Sequence, residues 1–139
     1  MKITSLRIIS FLSAGILFFS IITGFGSLQD KKPWPVPDKN KNMVNPVKAD
    51  AASIAEGKAL WNTHCKSCHG ARGLGDGSKA PQLKTEPGNF SKVDVQAQKD
   101  GALFYKTSEG RKDMPGFKKK IPDADDRWSV INFIRTLKK

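Results

Sequence analysis

Apolar residues recur at helical spacing in three stretches of this 139-residue chain. From Asp50 to His69, Ile54, Leu60 and Trp61, with Ala51, Ala55 and Cys65, predict a first helix. Asp50 or Ser53 suits its N-cap, and Glu56 three residues after Ser53 suggests a capping box. Gly57 inside that helix costs about 1 kcal/mol relative to alanine, so it predicts the close approach of another helix. Phe90 to Glu109 reads as mostly helical, with a break around Lys99-Asp100-Gly101 and an apolar face of Ala102, Leu103, Phe104 and Tyr105. Gly110 then stands where a helix-terminating glycine belongs. Pro122 to Lys139 is the last helix, with Asp123, Asp125 and Asp126 at its start and Lys138 and Lys139 at its end, as the helix dipole favours. Trp128, Val130, Ile131, Phe133, Ile134 and Leu137 give it a broad apolar face. It is expected to cross the first helix near Gly57, with Phe133 against Leu60 or Trp61. No strand pattern flanks the first helix, and the fold class is all-α.

The remaining chain divides by composition. Residues 1–29 open with Lys2 and Arg7 and continue from Ile8 to Leu28 without a charge. That is the form of a secretory signal, and also of a membrane anchor through residues 8–28. Either puts the rest of the chain across a membrane. Residues 30–49 are a Pro-rich linker, expected to be an extended spacer because each proline removes an amide donor and restricts its predecessor. Trp34 within it is expected to pack on the following domain as a surface staple. Residues 50–139 form that domain. Between its helices lie the loop from Gly70 to Asn89 and the segment Arg111 to Ile121. The run Gly70-Ala71-Arg72-Gly73-Leu74-Gly75-Asp76-Gly77 has no preceding strand and no following Lys-Ser/Thr, which argues against a phosphate cradle. Its glycines are expected to let the backbone wrap close to a flat ligand.

The candidate chemistry sits at Cys65-Lys66-Ser67-Cys68-His69. Two thiols three residues apart share a helical face, and a histidine follows at once: the pattern of a covalent attachment site for c-type haem. His69 is placed to give a nitrogen to the iron. Three other readings compete. A thioredoxin-like redox pair needs a βαβ setting. A closed zinc site needs four ligands, and the only histidines, His64 and His69, crowd one turn. A structural disulfide here would close too short a loop to stabilise much. His64 reads as a surface or hydrogen-bonding residue. A second feature is Asp113-Met114-Pro115-Gly116-Phe117, a methionine in a loop fixed by proline and glycine. Met114 is the candidate thioether ligand, with gap-filling in the core as its plain alternative.

Charge narrows the partners. Lys and Arg number 24 against 13 Asp and Glu, a formal charge of +11. Such a surplus suits an acidic partner or an anionic surface. The lysines are dispersed, without the interleaved aromatics of a nucleic-acid platform, so nucleic acid is not expected.

With Cys65-Lys66-Ser67-Cys68-His69, Pro81-x-Leu83, Met114-Pro115-Gly116-Phe117 and the closing Trp128 to Leu137 helix in that order, residues 50–139 resemble a class I c-type cytochrome. The resemblance implies a small helical fold around one covalent haem c. It implies Cys65 and Cys68 as thioether attachment points, His69 as proximal ligand and Met114 as distal ligand. It further implies that Pro81 gives its carbonyl to the proximal histidine and that Leu83 touches the haem. Residues 1–49 lie outside it. The expected function is single-electron transfer, without catalysis, by a monomer. The expected location is the periplasm, freely soluble after signal cleavage or anchored to the inner membrane. The expected partners are acidic redox proteins, steered by Lys66, Lys79 and Lys118 to Lys120. The alternatives are a haem subunit anchored in a respiratory complex and an open-site sensor or peroxidase-like protein.

Overall fold

The computed structural model describes residues 33–139, so the expected signal or anchor at 1–29 and the first residues of the Pro-rich stretch lie outside the described residues. In chain order the helices are α1 (Asp38–Lys41), α2 (Ala51–His64), α3 (Lys66–His69), α4 (Val93–Gln96), α5 (Asp100–Glu109) and α6 (Ala124–Thr136), with a 3₁₀ turn at Ala80–Gln82. Among the described residues there is no strand, only an isolated bridge between Arg111 and Met114. No helix among them is long and apolar enough to cross a membrane.

The core is built where α2 crosses α6, and Gly57 is the reason the crossing can be so close. A Cβ on Gly57 would stand 2.0 Å from the Ser129 carbonyl oxygen of α6. Around this point Trp61, Val130, Ile131, Phe133 and Ile134 are buried, joined by Leu103, Phe104 and Trp128. The Trp61 and Phe133 ring centroids are 5.7 Å apart, as the pattern predicts. Phe104 and Trp128 stack at 3.9 Å, which fixes α5 on α6.

The capping of α2 differs in detail from expectation. The Asp50 side chain accepts from the Ser53 amide at 3.0 Å, and the Ser53 hydroxyl accepts from the Asp50 amide at 3.2 Å. Ser53 therefore closes the box, and Glu56 is exposed. Ala51 and Ala55 are exposed too, so the buried stripe of α2 is narrower than the alanines suggested. At the C-terminal end, α6 begins at Ala124 rather than Pro122, because the Asp123 side chain caps it by accepting from the Asp125 amide at 2.8 Å.

The stretch expected as an extended spacer holds α1 and lies on the helical body. Gly101, at the start of α5, has no side chain, and a Cβ there would come within 2.3–2.9 Å of the carbonyl oxygens of Asn40, Lys41 and Met43. Buried Asn132 of α6 accepts from the Asn45 amide group at 2.8 Å. Its own amide group donates to the Val47 and Lys48 carbonyls and to the Ser53 hydroxyl, at 3.2, 3.3 and 3.1 Å. The prolines did limit helix in this stretch, but polar anchors hold it down.

Candidate functional site

One cavity of about 550 Å³ gathers the chemistry-bearing residues, with Cys65, Cys68, His69, Leu83 and Met114 all on its wall. A smaller cavity of about 150 Å³ shares His69 and Met114 with it.

The attachment motif is shaped by its own backbone. Cys65 ends α2, its amide donating to the Trp61 carbonyl at 2.9 Å, and the short α3 then carries Cys68 and His69. The Gly70–Gly77 loop folds back onto this turn. Gly75 donates to the His69 carbonyl at 2.9 Å, Gly77 to that of Cys68 at 3.2 Å, and Lys79 to that of Ser67 at 2.8 Å. A Cβ on Gly77 would lie 2.4 Å from the Ser67 carbonyl oxygen. At Gly77, therefore, the glycine serves close contact with the motif's backbone rather than with a flat ligand.

Cys65 and Cys68 are both free thiols. Burial, reinforced by Cys68, pushes the Cys65 thiol up to about 12, so it stays protonated at neutral pH. His69 is buried between aromatic rings, its centroid 5.6 Å from Trp61 and 5.0 Å from Phe90. Burial pushes its pKa down to about 4, with the Pro87 backbone opposing the shift. The imidazole is therefore neutral at physiological pH, the form that can donate a lone pair to a metal. The Pro87 backbone lies near the ring without an ordinary hydrogen bond to Nδ1, which is buried and unpartnered among the described residues.

Met114 reaches the same cavity from the other end of the chain. Its amide donates to the Arg111 carbonyl at 3.0 Å, and the Arg111 amide donates to its carbonyl at 2.8 Å. Gly110, at φ 71°, lets the loop leave α5; a Cβ there would meet the Met114 carbonyl oxygen at 2.5 Å. A Cβ on Gly116 would lie 2.6 Å from the Glu109 carbonyl oxygen. The Phe117 amide donates to the Thr107 carbonyl at 3.1 Å. Buried Arg127 closes the base of the loop, donating to Ser108 Oγ at 3.2 Å, to the Pro122 carbonyl at 2.9 Å and also to the Ile121 carbonyl.

Pro81 is placed differently from what the resemblance implies. It is exposed in the 3₁₀ turn and forms no part of the cavity wall, whereas Leu83 does. The backbone beside the His69 ring is that of Pro87. Two prolines follow the motif, and it is the second, followed by Gly88 at φ 76°, whose backbone lies beside the histidine. His64, read as a surface residue, is half-buried on the wall with its ring 6.0 Å from Phe117. Trp34 packs on the domain as expected, but it also forms part of the wall. Arg111 and Phe90 were not anticipated there; no local sequence pattern marks them.

These residues fit a haem. Two free thiols, a neutral imidazole with a buried unpartnered nitrogen and a thioether converge on one mostly apolar cavity of ligand size. Among the described residues no group of three or more His, Cys, Asp or Glu is placed to hold a metal ion, which removes the ligands a closed zinc site would need.

Comparison with known proteins agrees. The profile of the cytochrome c family matches residues 54–138. Among solved structures, the chain resembles one from the Kuenenia stuttgartiensis reducing HAO-like protein complex Kustc0457/Kustc0458, with a TM-score of 0.60 and 23% identity over 77% of this chain. This chain spans about half of that one, 51% of its length. It also resembles the KustC0563 c-type cytochrome, with a TM-score of 0.53 and 27% identity over 60% of this chain and 98% of that one. No curated protein sequence matches it.

Proposed function

We propose, from the premise that this chain belongs to the cytochrome c family, that it is a single-electron carrier with one haem c and His69/Met114 ligation. Haem and electron transfer come with the family. The observation that carries the finer reading is the meeting of Cys65, Cys68, His69 and Met114 on one cavity. When bound, the haem supplies the one-electron couple of its iron. Cys65 and Cys68 would hold it covalently. Neutral His69 would give a nitrogen to one face, and the backbone-pinned loop would present the Met114 thioether to the other. A thioether ligand favours the ferrous state and raises the potential. With His69 and Met114 both given to the iron, no place would be left for a substrate, so the proposed role is that of a carrier and not an enzyme.

The location that suits this reading is the periplasm, with residues 1–29 as signal or anchor. The partner is an acidic redox protein, met by the monomer. Lys79 and Lys120 stand on the cavity wall, and Lys66 and Lys119 are exposed. Lys118 is ion-paired with Glu109 and offers less charge to a partner than the sequence suggested. Electron transfer to an acidic partner should slow as ionic strength rises, and a rate independent of salt would refute the steering.

The direct test is the visible spectrum of the haem-loaded protein in both oxidation states. A weak ferric band at the red end, lost in Met114→Ala, is the expected result. A high-spin spectrum that responds to carbon monoxide would refute the ligation and favour an open site.

A further inference from the structure

Trp34 lies outside residues 54–138, the part matched by the family, yet it forms part of the wall of both cavities. Two cations face its indole. The Arg111 guanidinium carbon is 4.7 Å from the ring centroid, and Lys106 Nζ is 5.7 Å from it. Both belong to the haem cavities: Arg111 lines the larger and Lys106 the smaller. Among the described residues neither forms an ion pair with a carboxylate, and Lys106 instead donates to Gln98 Oε1. Burial and the neighbouring Arg111 hold the Lys106 pKa below its usual value. Two cations side by side in a partly buried wall repel each other and are costly to desolvate, unless an anion joins them. The cofactor of this family brings such an anion, because the porphyrin of haem c carries two carboxylates. Guanidinium groups match carboxylates with paired hydrogen bonds, and an ammonium adds a point charge.

We infer that Trp34, Arg111 and Lys106 form the carboxylate-binding corner of the haem cavity. The two cations pair with the porphyrin carboxylates, and the indole holds both cations in place through its face. The corner is thus completed by a segment that precedes the family's common domain. This rests on the haem reading above, but not on Met114 ligation.

The test uses the full haem-loaded chain and the variants Arg111→Gln, Lys106→Gln, Trp34→Ala and Arg111→Lys. Lys58→Gln, at an exposed position of α2 away from the cavity wall, controls for net charge. Two quantities are read: the porphyrin carboxylate vibrations by resonance Raman, and the midpoint potential. Arg111→Gln and Lys106→Gln should shift the carboxylate bands and lower the potential by more than Lys58→Gln does, because a lost nearby cation destabilises the added electron. Trp34→Ala should shift both in the same direction, and Arg111→Lys should recover most of the potential. Unmoved bands, with potentials no lower than the control, would overturn the inference. If Trp34→Ala yields no haem-loaded protein, the two glutamine variants decide. A chain with no covalent haem overturns this inference together with the proposed function. Normal haem and normal Met114 ligation with unresponsive bands overturn this inference alone.

Discussion

Gly57→Ala sets two physical effects of opposite sign against each other. In an exposed helix the change stabilises, by about 1 kcal/mol, because alanine loses less backbone entropy than glycine. At this site the new methyl would stand 2.0 Å from the Ser129 oxygen, 2.5 Å from its carbonyl carbon and 3.0 Å from the Val130 nitrogen. Ordinary contact begins near 3.4 Å, so α2 and α6 would have to separate by about 1.4 Å. All three atoms are backbone, so no side-chain rotation can relieve the clash. Overpacking of this kind costs about 1–3 kcal/mol, and a backbone obstacle puts it at the upper end. The net expectation is a loss of roughly 2 kcal/mol, or about 8–16 °C in Tm for a domain of this size. The assay is thermal and guanidinium unfolding of the haem-loaded protein, followed by far-UV circular dichroism. Gly88→Ala is the comparison: nothing lies within 4 Å of its Cβ, but its φ of +76° costs about 1 kcal/mol in backbone strain. A Gly57→Ala protein as stable as the parent, or more so, would refute the close crossing.

Three further outcomes follow from the packing. Asn132→Leu leaves the Val47 and Lys48 carbonyls without their donor. It should cost about 1–3 kcal/mol and expose residues 34–50 to protease well before global unfolding, as limited proteolysis with mass spectrometry would show. Arg127→Met removes the donor to the Ile121, Pro122 and Asp123 carbonyls and to Ser108. On the proposed ligation, the ferric Met114–iron band should then disappear at a lower temperature than in the parent, with about 2 kcal/mol of stability lost. On the proposed attachment, the Cys65→Ala/Cys68→Ala chain would lose its covalent haem and leave the walls of a cavity of about 550 Å³ without their filling. It should show reduced helicity and no cooperative thermal transition, and a native-like melt without haem would refute this.

The sequence is legible where a local rule governs the outcome. Helical periodicity located α2, α5 and α6, and a lone glycine at position 57 located the crossing. Type and spacing singled out Cys65, Cys68, His69 and Met114, the family resemblance added Leu83, and the fold brings all five to one cavity wall. Legibility failed where the deciding contact is distant in sequence. The anchoring of residues 40–48 depends on Asn132 and Gly101, where the prolines alone suggested an extended spacer. Pro81 and Pro87 both follow the motif, and only the fold shows that the Pro87 backbone, not that of Pro81, lies beside His69. Arg111 and Trp34 meet across 77 positions, a pairing that no local pattern announces.

The pinched loop around Met114 has a consequence for how this protein can vary. Gly110, Gly116 and the amide–carbonyl pair between Arg111 and Met114 fix the loop through main-chain atoms. The exposed side chains of Lys112, Lys119 and Lys120 take no part in those contacts, whereas Asp113 accepts from the Thr85 amide at 2.9 Å and Lys118 pairs with Glu109. Substitutions at Lys119 and Lys120 can redraw the charge around the cavity mouth without touching the main-chain bonds that hold the Met114 loop. Under the proposed ligation, the loop's main chain would hold the sulfur while its exposed lysines stay free to vary, so surface charge and iron ligation rest on separate atoms of one short loop.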